Sequence, residues 1–222
     1  MMTNLFSTFD PATSIKISMN WMSTFIGIMM FPMMYWTLPN RIMMLTSKIN
    51  MKLHEEMKML LGSSNGNTLM MISMFMFIFY NNIMGLLPYV FTSSSHLVFS
   101  MTLAMPMWIS IMMFGWINHT NHMFAHLVPS GTPPALMPFM VIIETISNVM
   151  RPGSLAVRLT ANMIAGHLLM SLLGNNSVSI NSFILPIIML IQMSLMMFEM
   201  AVAIIQAYVF SVLSTLYTSE VM

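Results

Sequence analysis

The chain has 222 residues, of which 57% are hydrophobic and only 6% charged, at a mean hydropathy of +0.80 and a net charge of +1. Soluble domains carry about 25% charged residues, so this is an all-α integral membrane protein and not a soluble enzyme. With no basic patch it has no surface for nucleic acid, and with no cysteine it has neither disulfides nor thiolate metal sites.

Residues 1–15 are mixed and lack arginine, which fits neither a signal peptide nor a transit peptide. The first membrane segment is expected over residues 19–38, with Trp21, Tyr35 and Trp36 as interfacial anchors and a kink at Pro32. Residues 41–60 carry Arg41, Lys48, Lys52 and Lys58 against Glu55 and Glu56. Ile42, Leu45, Ile49, Leu53, Met57 and Leu60 recur at three and four, so this segment reads as an amphipathic helix on the membrane surface. It is the basic loop, and the positive-inside rule puts it on the inner side of the membrane. His54 belongs to its solvated face.

A second segment, 68–88, ends in NNIMGLLPY, whose Asn81 and Asn82 can line a wet vestibule or bond a helix end. A third, 97–118, leads back to His119, His122 and His126. Their spacing of three and four suits a metal, but no acidic or cysteine ligand is near, so an interfacial histidine cluster is the simpler reading. The turn GTPPALMP (131–138) follows.

The last two patterns, 135–173 and 182–218, would be roughly 58 and 55 Å long at 1.5 Å per residue. A 30 Å hydrocarbon core accommodates them only as a strongly tilted hairpin about GNNSVSIN (174–181), with bends available at Pro152-Gly153 and Pro186. The first of them places Glu144, Arg151 and Arg158 seven apart, in one stripe with Asn148 and Asn162. An arginine inside apolar sequence costs at least ~2.5 kcal/mol, which makes Arg158 a functional candidate, whereas Arg151 is near enough to the interface to snorkel. The second places Gln192, Glu199 and Gln206 in a stripe of their own. One antiparallel register then sets Arg158 beside Gln206, His167 beside Glu199 and Glu144 beside Glu220. Paired in this way, polar groups become tolerable at membrane depth.

RPGSLAVRLTANMIAGHLL (151–169), the later Glu199 and Gln206, and NNIMGLLPY resemble subunit a of the rotary ATP synthase, the family whose mitochondrial form is ATPase subunit 6. The likeness covers most of the chain. It implies a stator subunit without a catalytic site or cofactor of its own, transporting protons. Its partners would be the rotor c-ring, peripheral-stalk and small accessory membrane subunits, and the lipid bilayer. By the same likeness, Arg158 faces the proton-carrying carboxylates of the c-ring and His167 and Glu199 line an aqueous access path. Bacterial relatives carry Glu and His in the opposite order, so the arrangement here resembles the mitochondrial branch. Such a chain would sit in the mitochondrial inner membrane and be made inside the organelle. The 35 methionines occupy ordinary Leu and Ile positions and fit an A+T-rich organellar code better than a Met-rich binding surface.

Two half-channels that never meet would move protons without short-circuiting the membrane, if a rotating carrier joined them. His167 and Glu199 would serve the intermembrane-space side and Glu144 the matrix side, with Arg158 between and Gln206 and Asn162 supporting it. The alternative is a non-rotary proton-translocating transporter or a membrane subunit of a respiratory complex. Inverted repeats, midplane breaks or an intramembrane Lys/Glu relay would mark that class, and none is visible here.

Overall fold

Strings of apolar residues broken by few charges leave the backbone no water to bond, so the chain satisfies its amides within helices. The structure, a computed structural model, describes residues 5–13, 17–32, 38–62, 65–128, 133, 136–177 and 183–221. Seven helices are present among them, with no strand: α1 (Ser23–Met29), α2 (Arg41–Leu61), α3 (Asn65–Gly85), α4 (Leu97–Asn118), α5 (Thr120–His126), α6 (Met137–Ser177) and α7 (Leu185–Val221). Helices α3, α4, α6 and α7 are long and apolar enough to cross a membrane.

The segment expected over 19–38 is shorter than that. It is a 3₁₀ turn, Met19–Met22, continued by α1 to Met29. The chain leaves the helix after Met29 and bends at Phe31, just ahead of Pro32, which has no amide donor to continue the ladder. Residues 33–37, with Tyr35 and Trp36, lie outside the described residues, as do 131, 132, 134 and 135 of the 131–138 turn and residues 178–181 of the hairpin turn. Residues 174–177 of that turn are helical and end α6.

Helix α7 is laid against α3 through small side chains. Ala203, Ala207, Ser211, Ser214, Thr215 and Thr218 are all buried. The hydroxyls of the last four donate to carbonyls three residues back in the same helix, so a polar stripe faces another helix without orphaned donors. Met71, Phe75 and Ile78 of α3 fill the space these small residues leave. Asn82 Nδ2 donates to the Ala203 carbonyl at 3.5 Å, and Ser214 Oγ to Met71 Sδ at 3.2 Å. Eleven residues along α3 match eleven back along α7, which defines one antiparallel register.

The surface helix is more embedded than its pattern implies. Its apolar stripe is wider than its protein contact: Thr46, Leu53, Met57 and Leu61 are buried, while Ile42, Leu45, Ile49 and Leu60 point outward. Glu56 accepts a hydrogen bond from Tyr208 of α7 at 3.2 Å. Lys52 and Glu55 pair at 2.9 Å in full solvent, and that bond holds the ammonium above the usual lysine pKa.

Helices α6 and α7 have 41 and 37 residues, roughly 61 and 55 Å at 1.5 Å per residue, so they cross 30 Å only when steeply inclined. The helix bends expected at two prolines resolve differently. Pro152 lies buried inside a continuous α6, and Pro186 occupies the first turn of α7, where its missing N–H is no loss.

Candidate functional site

The face that α6 turns inward is Pro152, Leu155, Ala156, Leu159, Thr160 and Met163, spaced by three and four. Arg158 is off that stripe. It is exposed, and no hydrogen bond or ion pair among the described residues engages it. The expected partnership with Gln206 is not formed: Gln206 is half-buried on α7 beside Ala207, and neither it nor the half-buried Asn162 bonds the guanidinium. The helix periodicity that buries Leu155 and Leu159 aims the cation between them away from the bundle.

Arg151, one stripe position earlier, has the opposite environment. Its Nη1 donates to Glu220 Oε2, its Nη2 lies 3.6 Å from Glu144 Oε1, and its Cζ stands 4.9 Å from the Tyr217 ring centroid. Side chains on a helix lean toward its N-terminus, which lets Arg151 reach back two turns to Glu144. The sequence register brought Glu144 and Glu220 to one level, and two carboxylates at one level repel. The arginine between them makes that level tenable. Arg151→Gln is expected to loosen this end of the hairpin by about 1 kcal/mol, since the three side chains are partly exposed. Melting of the solubilised complex would show the drop, and Glu220→Gln in the same chain should reverse it.

Near the other end of α6, Glu199 of α7 is packed against Gly166. A Cβ at Gly166 would lie 2.9 Å from both Cδ and Oε1 of Glu199. His167 follows at once, its ring edge-on to Phe9 with centroids 6.3 Å apart. Glu199 is 8% exposed, and no protein group bonds its Oε1 or the buried Nε2 of His167. The two side chains thus lie at adjacent positions of α6, Glu199 against Gly166 and His167 against Phe9, and no hydrogen bond joins them. A buried carboxyl and a half-buried imidazole, each with an unspent atom, are groups suited to passing protons.

Gly166 was not singled out in the sequence, although a glycine inside a long apolar helix is itself a sign of close approach. Gly166→Ala is expected to displace the Glu199 carboxyl while α6 still folds, because the clash is with the end of a flexible side chain. For the proton transport that the resemblance to subunit a implies, turnover should fall on the order of tenfold or more, with unchanged amounts of assembled protein on native gels.

The histidines after α4 are further apart in role. His119 caps α5 at φ −129°, and His122 and His126 stand with ring centroids 6.5 Å apart. Among the described residues no group of three His, Cys, Asp or Glu side chains is placed to hold a metal.

The chain matches the ATP synthase A chain family over residues 17–219. It is 62% identical to ATP synthase subunit a of Anopheles gambiae over 225 aligned positions that span the whole of both chains. Identity is 60% to the subunit a of Locusta migratoria and 58% to that of Drosophila melanogaster, again over the full length of each.

Proposed function

This chain belongs to the ATP synthase A chain family, and from that premise we propose that it is the stator of the membrane sector, loading and unloading protons on the carboxylates of a c-ring through two offset half-channels. The observation that carries this is Arg158, an exposed cation that no hydrogen bond or ion pair among the described residues satisfies, flanked by the exposed Val157. Against lipid it would cost at least ~2.5 kcal/mol, so its counter-charge must come from a neighbouring chain. An ionised carboxylate on the rotor supplies one, attracted by roughly 4 kcal/mol at 4 Å and an effective dielectric of 20.

His167 and Glu199 receive protons from the intermembrane space and Glu144 releases them toward the matrix. These groups are separated along α6 by about 35 Å of helix, with Arg158 between them. A proton on the rotor carboxylate removes its charge and lets it turn into lipid; nearly a full rotation later it reaches the Glu144 side. Arg158 repels protons from the direct route and holds each returning carboxylate loosely. A charge crossing 100 mV yields about 2.3 kcal/mol, which must suffice to break that hold. We place the subunit in the mitochondrial inner membrane, encoded in the organelle, with peripheral-stalk and small accessory subunits around it; the methionine-rich composition supports this.

The chain has no cysteine, so a thiol at exposed Ala161 is unique within it. Oxidative cross-linking of Ala161→Cys should yield adducts with a ring subunit carrying a thiol beside its carboxylate. Adducts formed only with other membrane subunits would place this face away from the rotor and remove the proposal's support.

A further inference from the structure

Among the described residues several buried polar atoms find no hydrogen-bond partner, and besides His167 Nε2 and Glu199 Oε1 they include Asn82 Oδ1, Ser94 Oγ and His96 Nε2. The last two belong to a short 3₁₀ turn, Ser93–Ser95, and the residue that caps it. Unbonded buried polar atoms are uncommon in folded proteins, and each calls for a reason. Asn50 Oδ1, on α2, is a sixth; the other five are brought toward one level of the bundle by the helix registers.

Three contacts establish that level. Thr92 packs on Gly85, where a Cβ would meet Thr92 Cγ2 at 3.1 Å, so the turn sits over the end of α3. The register set by Asn82 against Ala203 brings Gly85 beside Met200, the residue after Glu199. On the α6 side, Ala104 and Met107 of α4 share a small cavity of about 20 Å³ with Pro152 and Leu155. Continued antiparallel along α4, that register brings His96 and Ser94 to the height of residues about 163–167, where Gly166 already holds Glu199. The turn packs against α3, α4 and α6.

The hydroxyl of Ser94 is at 0% exposure, yet it makes no bond, unlike that of Ser100, equally buried, which donates to the Leu97 carbonyl. His96 is clamped between Trp21 and Phe91, with ring centroids 5.3 and 5.2 Å away. The clamp holds the ring plane while Nε2 stays unspent. A packing serine closes its bond within its own helix, as the α7 serines do. An imidazole kept for packing needs no buried free nitrogen.

We propose that Ser94 and His96, with Asn82, form a second wall of the intermembrane-space proton path, a polar branch that reaches Glu199 from the α3–α4 side as His167 does from α6. The proposal rests on the access role given to Glu199 above. In it, Ser94 and Asn82 are positioning residues that hold water against the Glu199 carboxyl, and His96 is the outer donor and acceptor of the branch.

The test is thiol reactivity in the assembled synthase of mitoplasts, with Ag⁺ applied from the intermembrane-space face and proton-driven ATP synthesis as the readout. Ser94→Cys should lose synthesis to Ag⁺ at least about tenfold faster than the equally buried Ser100→Cys, because only a hydrated thiol ionises and binds the metal readily. Equal resistance of the two would overturn the proposal. Direct labelling of Glu199→Cys separates the two failures: if its thiol is also unreactive, the access role of Glu199 falls; if it reacts while Ser94→Cys does not, only the branch falls. Should Ser94→Cys fail to assemble, His96→Phe keeps the aromatic clamp and removes Nε2. Synthesis should then slow by about fivefold, the loss of one hydrogen-bonding link, with the ring stack retained. An unchanged rate in assembled His96→Phe would overturn the role of His96.

Discussion

Arg158→Ala is expected to abolish proton-driven ATP synthesis while leaving the subunit folded and assembled. Both halves follow from the same geometry. The side chain is exposed and makes no hydrogen bond or ion pair among the described residues, so its removal breaks none of these. Its charge, however, is the only cation on the outward face of α6 that is not already committed, since Arg151 is shared between Glu144 and Glu220. In the proposed mechanism, its loss costs a rotor carboxylate an attraction of roughly 4 kcal/mol and removes the barrier between the two paths. Passive leak through the assembled membrane sector should therefore rise as synthesis disappears. Arg158→Lys should recover little, because a compact ammonium is shorter, offers no fork and sheds its proton more readily in apolar surroundings. Synthesis at the parental rate in an assembled Arg158→Ala variant would remove the charge from the mechanism altogether.

The all-helical class and the long hairpin were legible because hydrophobic runs longer than a bilayer and scarce charge leave few alternatives. The hairpin register was legible too, to within a residue: the predicted neighbour of Glu199 was His167, and the structure places Gly166 there. What the register did not convey was direction around the helix. Gln206 was assigned to Arg158 by height alone, whereas the buried stripe of α6 turns the arginine outward. The role of Arg151 was obscured for a related reason, since a partner seven residues back is visible only when side-chain lean is combined with the crossing of α7. In the first segment, apolar sequence alone does not mark where the helix ends: α1 stops at Met29, three residues before Pro32, which disfavours helical backbone just ahead of it. Ser94 and His96 carried no signal at all in the sequence. A serine in a loop is unremarkable until it is found fully buried with its hydroxyl unspent.

Exchanging the pair, His167→Glu with Glu199→His, is expected to preserve more proton flux than the worse of the two single changes. Each single change removes one kind of group: His167→Glu leaves two carboxyls in one compartment, and Glu199→His leaves two imidazoles. Two like groups repel once both are ionised, and a path that must both accept and release a proton then loses its complementary step. Loss of a positioned acid or base commonly costs about 10²-fold or more, and each single variant should fall in that range. The double exchange restores one carboxyl and one imidazole across the same gap. Geometry sets how much returns. Glu199 presently fits against Gly166 with its carboxyl 2.9 Å from where a Cβ would lie, and an imidazole at 199 is bulkier but has the same room because residue 166 has no side chain. A carboxyl at 167 would sit by Phe9 in place of the ring now edge-on to it. The double variant should therefore turn over about tenfold faster than the worse single, a gain of ~1.4 kcal/mol in the barrier. Proton-driven synthesis at matched assembly measures this directly. A double variant no faster than the worse single would show that the two residues do not work as a pair, and the access role would pass to Glu199 alone.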